Sequence, residues 1–231
     1  MKRMLIGIVL VTGMGMVPGL DAAATDWAVG ETWVYRHEGF RPFAPPGQTA
    51  EIPRTRKILS IQGEGAEKRW LLEERWGEGE GPAAVSFIDA AKGMDKVEMG
   101  ENFSILFRPA IPVDWSGLKP GEEKKVESES RFNGNTSKIQ YEAKRLEDEN
   151  VTVPAGEFKN TTRVQVEMTM TFNTDQGSRT FKMLETYWYH PDANGFVKEQ
   201  IEMVPLEGQD APDQPMKGTS VLLSHTQEKK E

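Results

Sequence analysis

The sequence predicts an all-β protein: a mainly antiparallel meander with little helix, forming a curved sheet, a half-barrel or a sandwich. Three observations carry this. Hydrophobic residues recur with a period near two along most of the chain. The best run is Thr162–Phe172, where Val164, Val166, Met168, Met170 and Phe172 alternate with Arg163, Gln165, Glu167, Thr169 and Thr171. Successive strand side chains point to opposite faces, so such a run buries one face and wets the other. Turn signals separate the runs, notably Asn133-Gly134, Pro154-Ala155-Gly156 and Asp192-Ala193-Asn194-Gly195.

Taken in order, Thr32–His37 places Trp33 and Tyr35 on one face, after the turn-forming Gly30. The proline-rich stretch Arg41–Pro53 predicts a loop, because proline has no N–H for a ladder. Thr55–Gln62 and Lys68–Trp76 read as a hairpin around Gly63-Glu64-Gly65. In its second strand Trp70, Leu72 and Trp76 share a face, with Glu74 interrupting them. Glu74 reads as a solvated edge position or a partner of Arg69 or Arg75; the competing reading makes it the acid of a ligand pocket. Gly77–Gly81 is a turn, Ala83–Asp89 a strand, and Phe103–Arg108 a short apolar run ended by Pro109 and Pro112. An irregular passage then runs through Trp115 to Gly121.

Lys124–Phe132 and Lys138–Leu146 pair across Asn133-Gly134, with Ile139, Tyr141 and Ala143 on one face. A helix competes over Glu142–Glu147, whose residues are good helix formers. Thr180–His190 returns from a turn at Asp175-Gln176-Gly177, and Phe196–Val204 follows Asp192–Gly195. Gly208–Gly218 is a loop, Val221–Thr226 the last strand. Gly30-Glu31 and Gly121-Glu122 each open a strand, a weak internal echo.

The chain opens with Met1-Lys2-Arg3, an apolar run to about Leu20 and Asp21-Ala22-Ala23-Ala24, the pattern of a secretory signal peptide cleaved near Ala24. Residues 25–226 form a single β domain, or alternatively two β-subdomains at 25–115 and 116–226; residues 227–231 are a frayed tail. There is no cysteine, which excludes disulfides, thiolate metal sites and a lipidated cysteine. The formal net charge of −8, with no basic stripe, argues against nucleic acid and an anionic membrane surface as partners.

No catalytic machinery is evident, and no cofactor or metal is expected. The three histidines His37, His190 and His225 lack an accompanying Gly-x-Ser-x-Gly elbow or zinc-binding spacing; strand ends or the surface suit them. Asp192-x-Asn194-Gly195 starts like a calcium loop but lacks its later ligands, so a turn is expected. A hydrolase would need Glu74, Asp89 or His190 to converge. The remaining candidates are aromatic and methionine side chains: Trp70, Trp76, Met168, Met170, Met183, Tyr187, Trp188 and Tyr189. Tyr187-Trp188-Tyr189 puts aromatics on both faces of a strand, so the sheet is either covered on both sides or presents an apolar groove that methionines make adaptable.

Gly30-Glu31-Thr32-Trp33-Val34-Tyr35, Val151–Phe158 and Tyr187–Lys198 together resemble a broad group of uncharacterised bacterial exported β-proteins. These carry a Val-Pro-Ala-Gly-aromatic turn followed by a Trp-Tyr-x-Pro-x-x-Gly-x-Val-Lys hairpin. The resemblance lies mainly in residues 118–204, with a weaker match near 30–37, and implies a cell-envelope β-domain whose curved sheet half-encloses an apolar surface. The chain is expected to be a periplasmic or secreted domain that acts by binding. The expected occupant is a hydrophobic ligand or lipid in an aromatic and methionine-lined groove. The alternative is an envelope protein partner without a small ligand.

Overall fold

The computed structural model describes residues 26–41, 51–78, 83–100, 103–132, 135–174, 177–206 and 216–227. The expected signal peptide, most of the expected loops at 41–53 and 208–218, the expected Asn133-Gly134 turn and the last four residues lie outside these. Parts of the turns at Gly77–Gly81 and Asp175–Gly177 lie outside them as well.

Thirteen strands form one antiparallel sheet. They are β1 (Thr32–Gly39), β2 (Ile52–Gln62), β3 (Arg69–Trp76), β4 (Ala84–Asp89), β5 (Gly93–Met99), β6 (Phe103–Pro112), β7 (Glu123–Phe132), β8 (Asn135–Arg145), β9 (Glu149–Val153), β10 (Gly156–Thr174), β11 (Gly177–His190), β12 (Gly195–Val204) and β13 (Lys217–Thr226). Neighbours in sequence pair from β1 to β8, β8 passes to β10, and β10 to β13 continue the meander. β13 pairs with β1 over Thr32↔Thr226 to Gly39↔Gly218, which closes the ring. Twelve strands make up this barrel; β9 instead folds back on the first residues of β10, with Val153 opposite Gly156. Closure removes the free edges that an open meander would expose.

The strand expected over Lys138–Leu146 is present: Lys125↔Glu142 and Glu123↔Lys144 seat the Glu142 segment in the ladder. Two other segments differ from the sequence expectation. β5 carries no alternating apolar signal and went unread. β6 continues past the expected end at Arg108, through Pro109 to Pro112. Its pairing with β7 stops at Arg108, and its pairing with β5 breaks off at Leu106 and resumes at Ile111. Pro109 therefore sits in a ladder gap, where a missing N–H costs least.

A barrel of about eight strands is filled by its own side chains, and a wider one needs large groups or keeps a space. This barrel does both. At one end Trp27, Trp33 and Trp70 meet edge to face, with ring centroids 6.2 and 5.8 Å apart. Each indole N–H reaches a backbone carbonyl: Trp27 to Asn194, Trp33 to Ala193 and Trp70 to Trp27. The Lys92 ammonium lies 3.4 Å from the Trp27 ring centroid. Glu31, fully buried, anchors this plug by accepting from the Ala28 N–H, Asn194 Nδ2, His225 Nε2 and Gln227 Nε2. Burial pushes its carboxyl up, but His225, the Ala28 N–H and Asn194 outweigh that and hold it below the usual carboxylate value.

The echo at the two Gly-Glu pairs has a structural counterpart. Glu31 and Glu122 donate their N–H to Ala28 and Lys119 O, and their carboxylates accept the Ala28 and Lys119 N–H. Gly30 and Gly121 take positive φ, 83° and 75°. The carbonyls of the two glutamates then accept Ile58 N–H of β2 and Arg145 N–H of β8. Six ring strands follow each turn.

Outside, β7 and β8 carry Glu123, Lys125 and Glu127 opposite Lys144, Glu142 and Gln140. A lipid-facing barrel needs an apolar band there, so this wall faces water. No helix among the described residues is long and apolar enough to cross a membrane.

Candidate functional site

Between the tryptophan plug and a second apolar layer lies a cavity of about 330 Å³ inside the barrel. Leu72, Ile88, Met94, Val97 and Ile111 form one wall, from β3 to β6. Arg54 and Arg56 of β2, Glu74 of β3, Glu185 and Tyr187 of β11 and Glu199 of β12 form the other. The second layer contains Phe107, Ile139, Met168, Met183 and Ile201, with Met170, Phe181 and Met203 packed on it; Met94, Val97 and Tyr141 belong to both regions.

Arg54 holds the charged wall together. Its Nη2 donates to Glu74 Oε2 at 3.0 Å, and its Nη1 donates to Glu199 Oε2. Trp76 Nε1 donates to Glu74 Oε1 at 2.7 Å, and Ser220 Oγ to Glu199 Oε2 at 3.0 Å. The guanidinium lies 4.6 Å from the Trp76 ring centroid and 5.5 Å from that of Phe196. Burial would lower the Arg54 pKa, but Glu199 and Glu74 raise it above its ordinary value. Burial likewise pushes Glu74 up, and Arg54 and Arg56 bring it below the ordinary carboxylate value. Both remain ionised at neutral pH.

Glu185 differs. Its direct partner is the Tyr187 hydroxyl, which donates at 2.7 Å. Burial, followed by repulsion from Glu199, pushes its carboxyl up to about 7, against smaller opposing contributions from Tyr187 and Arg54. A carboxyl raised in the folded state binds a proton that the unfolded chain has released. Stability contributed here is complete below about pH 4.5 and declines as pH rises toward 7. Glu185→Gln is therefore expected to flatten that decline and to stabilise the protein at pH 8 by about 2 kcal/mol, a figure reduced for cavity water. Urea unfolding of both proteins at pH 4.5, 6 and 8 measures it; parallel curves would contradict a desolvated Glu185.

The structure separates the residues singled out in the sequence. Tyr187 lines the cavity, and Trp76 stands behind Glu74. Met168, Met170 and Met183 lie in the apolar layer. Trp70 is part of the plug, and Tyr189 stacks on Tyr187 at 5.7 Å. Trp188 points the other way: it is paired with Arg163 and Lys198 on the outer face and donates its indole N–H to Glu149 of β9. On the outer face of β11, Trp188 is thus buried beside the β9 hairpin, while Lys182, Leu184 and Thr186 are half-buried.

Two expectations are corrected. Glu74 is neither solvated nor paired with its strand neighbours: Arg69 binds Asp95 and Arg75 binds Glu73, while Glu74 turns inward to Arg54. His37 is buried rather than superficial, donating from Nε2 to the Phe40 carbonyl with Nδ1 2.9 Å from Ser220 Oγ. His225 is also sequestered, stacked on Trp33 and bonded to Glu31. Asp89 and His190 do not join Glu74, since Asp89 accepts the Ala91 and Gly93 N–H of its own turn and His190 the Asp192 N–H. Asn194 closes the Asp192–Gly195 turn at φ 45°. Among the described residues there is no cluster of three His, Asp or Glu side chains that could hold a metal ion.

Arg54, Arg56, Glu185 and Glu199 escaped the sequence reading. Their signal was register: Arg54 and Arg56 alternate with Ile58, and Glu185 falls between Met183 and Tyr187 on an inward face.

The fold and site define a closed twelve-stranded antiparallel barrel with a charged interior cavity. Two solved structures share the fold. One is a protein from Bacteroides fragilis NCTC 9343 described as exported and of YmcC-like fold: 15% identity, 87% of this chain and 97% of that one, TM-score 0.51. The other, from Parabacteroides distasonis ATCC 8503, is described as a lipoprotein: 11% identity, 86% and 96% coverage, TM-score 0.51. No family model matches the chain. No curated protein matches it either.

Proposed function

We propose that the protein is exported to the bacterial cell envelope and binds a small amphipathic molecule, a lipid or similar ligand, inside its barrel. The cavity carries this reading. At about 330 Å³, with an apolar wall that runs into a methionine layer and a charged wall opposite, it has the size and composition of a small-ligand site. The unbranched, polarisable methionines let such a layer accept varied chains. Export is supported by the basic and apolar leader and by the descriptions of the two structural neighbours.

The test uses the mature chain and the dye N-phenyl-1-naphthylamine. Saturable fluorescence enhancement, displaced by long-chain amphiphiles, is expected. Ala84→Trp, which places a bulky ring in the cavity wall, is expected to weaken dye binding about tenfold. A dye-silent folded protein that instead captures an envelope protein stably would contradict the proposal and favour an assembly role.

A further inference from the structure

Resting on the reading that the barrel binds an amphiphile, we infer that the ligand's polar end is a cation, a protonated or quaternary amine, seated at Glu185 beside Tyr187 and Tyr141. The charged wall contains two guanidiniums and three carboxyls. Arg54 is shared between Glu74 and Glu199, and the Arg56 Nε lies 3.5 Å from Glu74. Two cations thus stand against two anions, while the Nε donors of Arg54 and Arg56 are buried without a hydrogen-bond partner among the described residues. Glu185 is the carboxyl left over. Among the described residues no lysine or arginine forms an ion pair with it, and its hydrogen bond comes from the neutral Tyr187 hydroxyl.

The backbone register places aromatic surface around it. Glu185 and Ala143 both lie opposite Val166 of β10, so Tyr141 is one inward position along β8 from Glu185's row. Tyr187 is one inward position along β11, and all three side chains line the cavity. A carboxylate flanked by tyrosine rings attracts an ammonium through both charge and ring quadrupoles. Burial, then repulsion from Glu199, holds the Glu185 carboxyl up, and an arriving ammonium supplies a counter-charge. An anionic head would instead have to compete with Glu74 and Glu199 for arginines already engaged.

Three ligands with the same decyl chain test this by dye displacement from the mature protein at pH 8 and low salt: decyltrimethylammonium, decyl sulfate and decanol. The ammonium is expected to bind about tenfold tighter than decanol, with the sulfate weakest. Glu185→Gln is expected to bring the ammonium down to decanol's affinity, with an unchanged far-ultraviolet circular dichroism spectrum reporting an intact barrel. A preference for the sulfate, or an ammonium preference that survives Glu185→Gln, overturns the inference. Equal binding of all three overturns it but leaves the amphiphile site standing. Displacement by none overturns that reading as well.

Discussion

Replacing Arg54 with methionine is expected to destabilise the protein by about 3–5 kcal/mol. Methionine keeps much of the side chain's volume but removes the cation from between Glu74 and Glu199. Two inward-facing carboxylates then remain without it, and the cost of an uncompensated buried charge exceeds the worth of the ion pair. Their repulsion also falls on Glu185, already pushed up by burial and then by Glu199. Urea unfolding at pH 7 gives the loss directly. Adding Glu74→Gln and Glu199→Gln to Arg54→Met is expected to recover a large part of it, since neutral amides need no counter-charge. The same single substitution causing less than about 1 kcal/mol would mean that water screens the wall far more than its burial indicates.

The second large effect belongs to Glu31→Leu, with an expected loss of about 3 kcal/mol. Four donors converge on this one carboxylate, from Ala28, Asn194, His225 and Gln227. It ties the turn before β1 to the β11–β12 turn and to the end of β13. Leucine fills the space and leaves those donors without their acceptor, which costs more than the bonds contributed. The sign with pH follows from its lowered carboxyl: the contribution is present above the ordinary glutamate value and is lost as pH falls through the folded one. The wild type is therefore expected to lose its advantage over Glu31→Leu in acid. Loosening of the Trp33–His225 stack, 5.4 Å between centroids, gives a tryptophan fluorescence change to follow. Glu31→Gln, which keeps an acceptor, is expected to retain part of the stability.

Much of this fold is legible in the sequence where a strand is wet on one side. β10 reads at sight because Val164 to Phe172 alternate with charged and hydroxyl residues, and the turns at Pro154–Gly156 and Asp192–Gly195 are local chemistry. Closure is not legible. The β13–β1 pairing joins the two ends of the described chain, and no local pattern specifies it. β6 misled because Pro109 lies where the ladder is interrupted and Pro112 is the strand's last residue, facts of tertiary register.

The site was harder for a related reason. A period-two reading identifies an interior by its apolar residues, but a twelve-stranded barrel has room for polar ones. Arg54, Arg56, Glu74, Glu185 and Glu199 occupy inward positions that the pattern treats as interruptions. Their meaning emerges only when β2, β3, β11 and β12 come together, which the ring brings about through β13 and β1. Tyr187 and the methionines Met168, Met170 and Met183 were visible as inward residues. Alternation sets Trp188 on the face opposite Tyr187, but only the register that pairs it with Arg163 and Lys198 and its bond to Glu149 show what covers it.

The claim that the barrel interior is the binding site is tested most directly by following methionine methyl and tryptophan indole signals during titration with an amphiphile such as decyltrimethylammonium. The account predicts saturable shifts of Met94, Met168, Met183 and Met203 with Trp188 unmoved. Shifts at Trp188 with the interior methionines silent would contradict it.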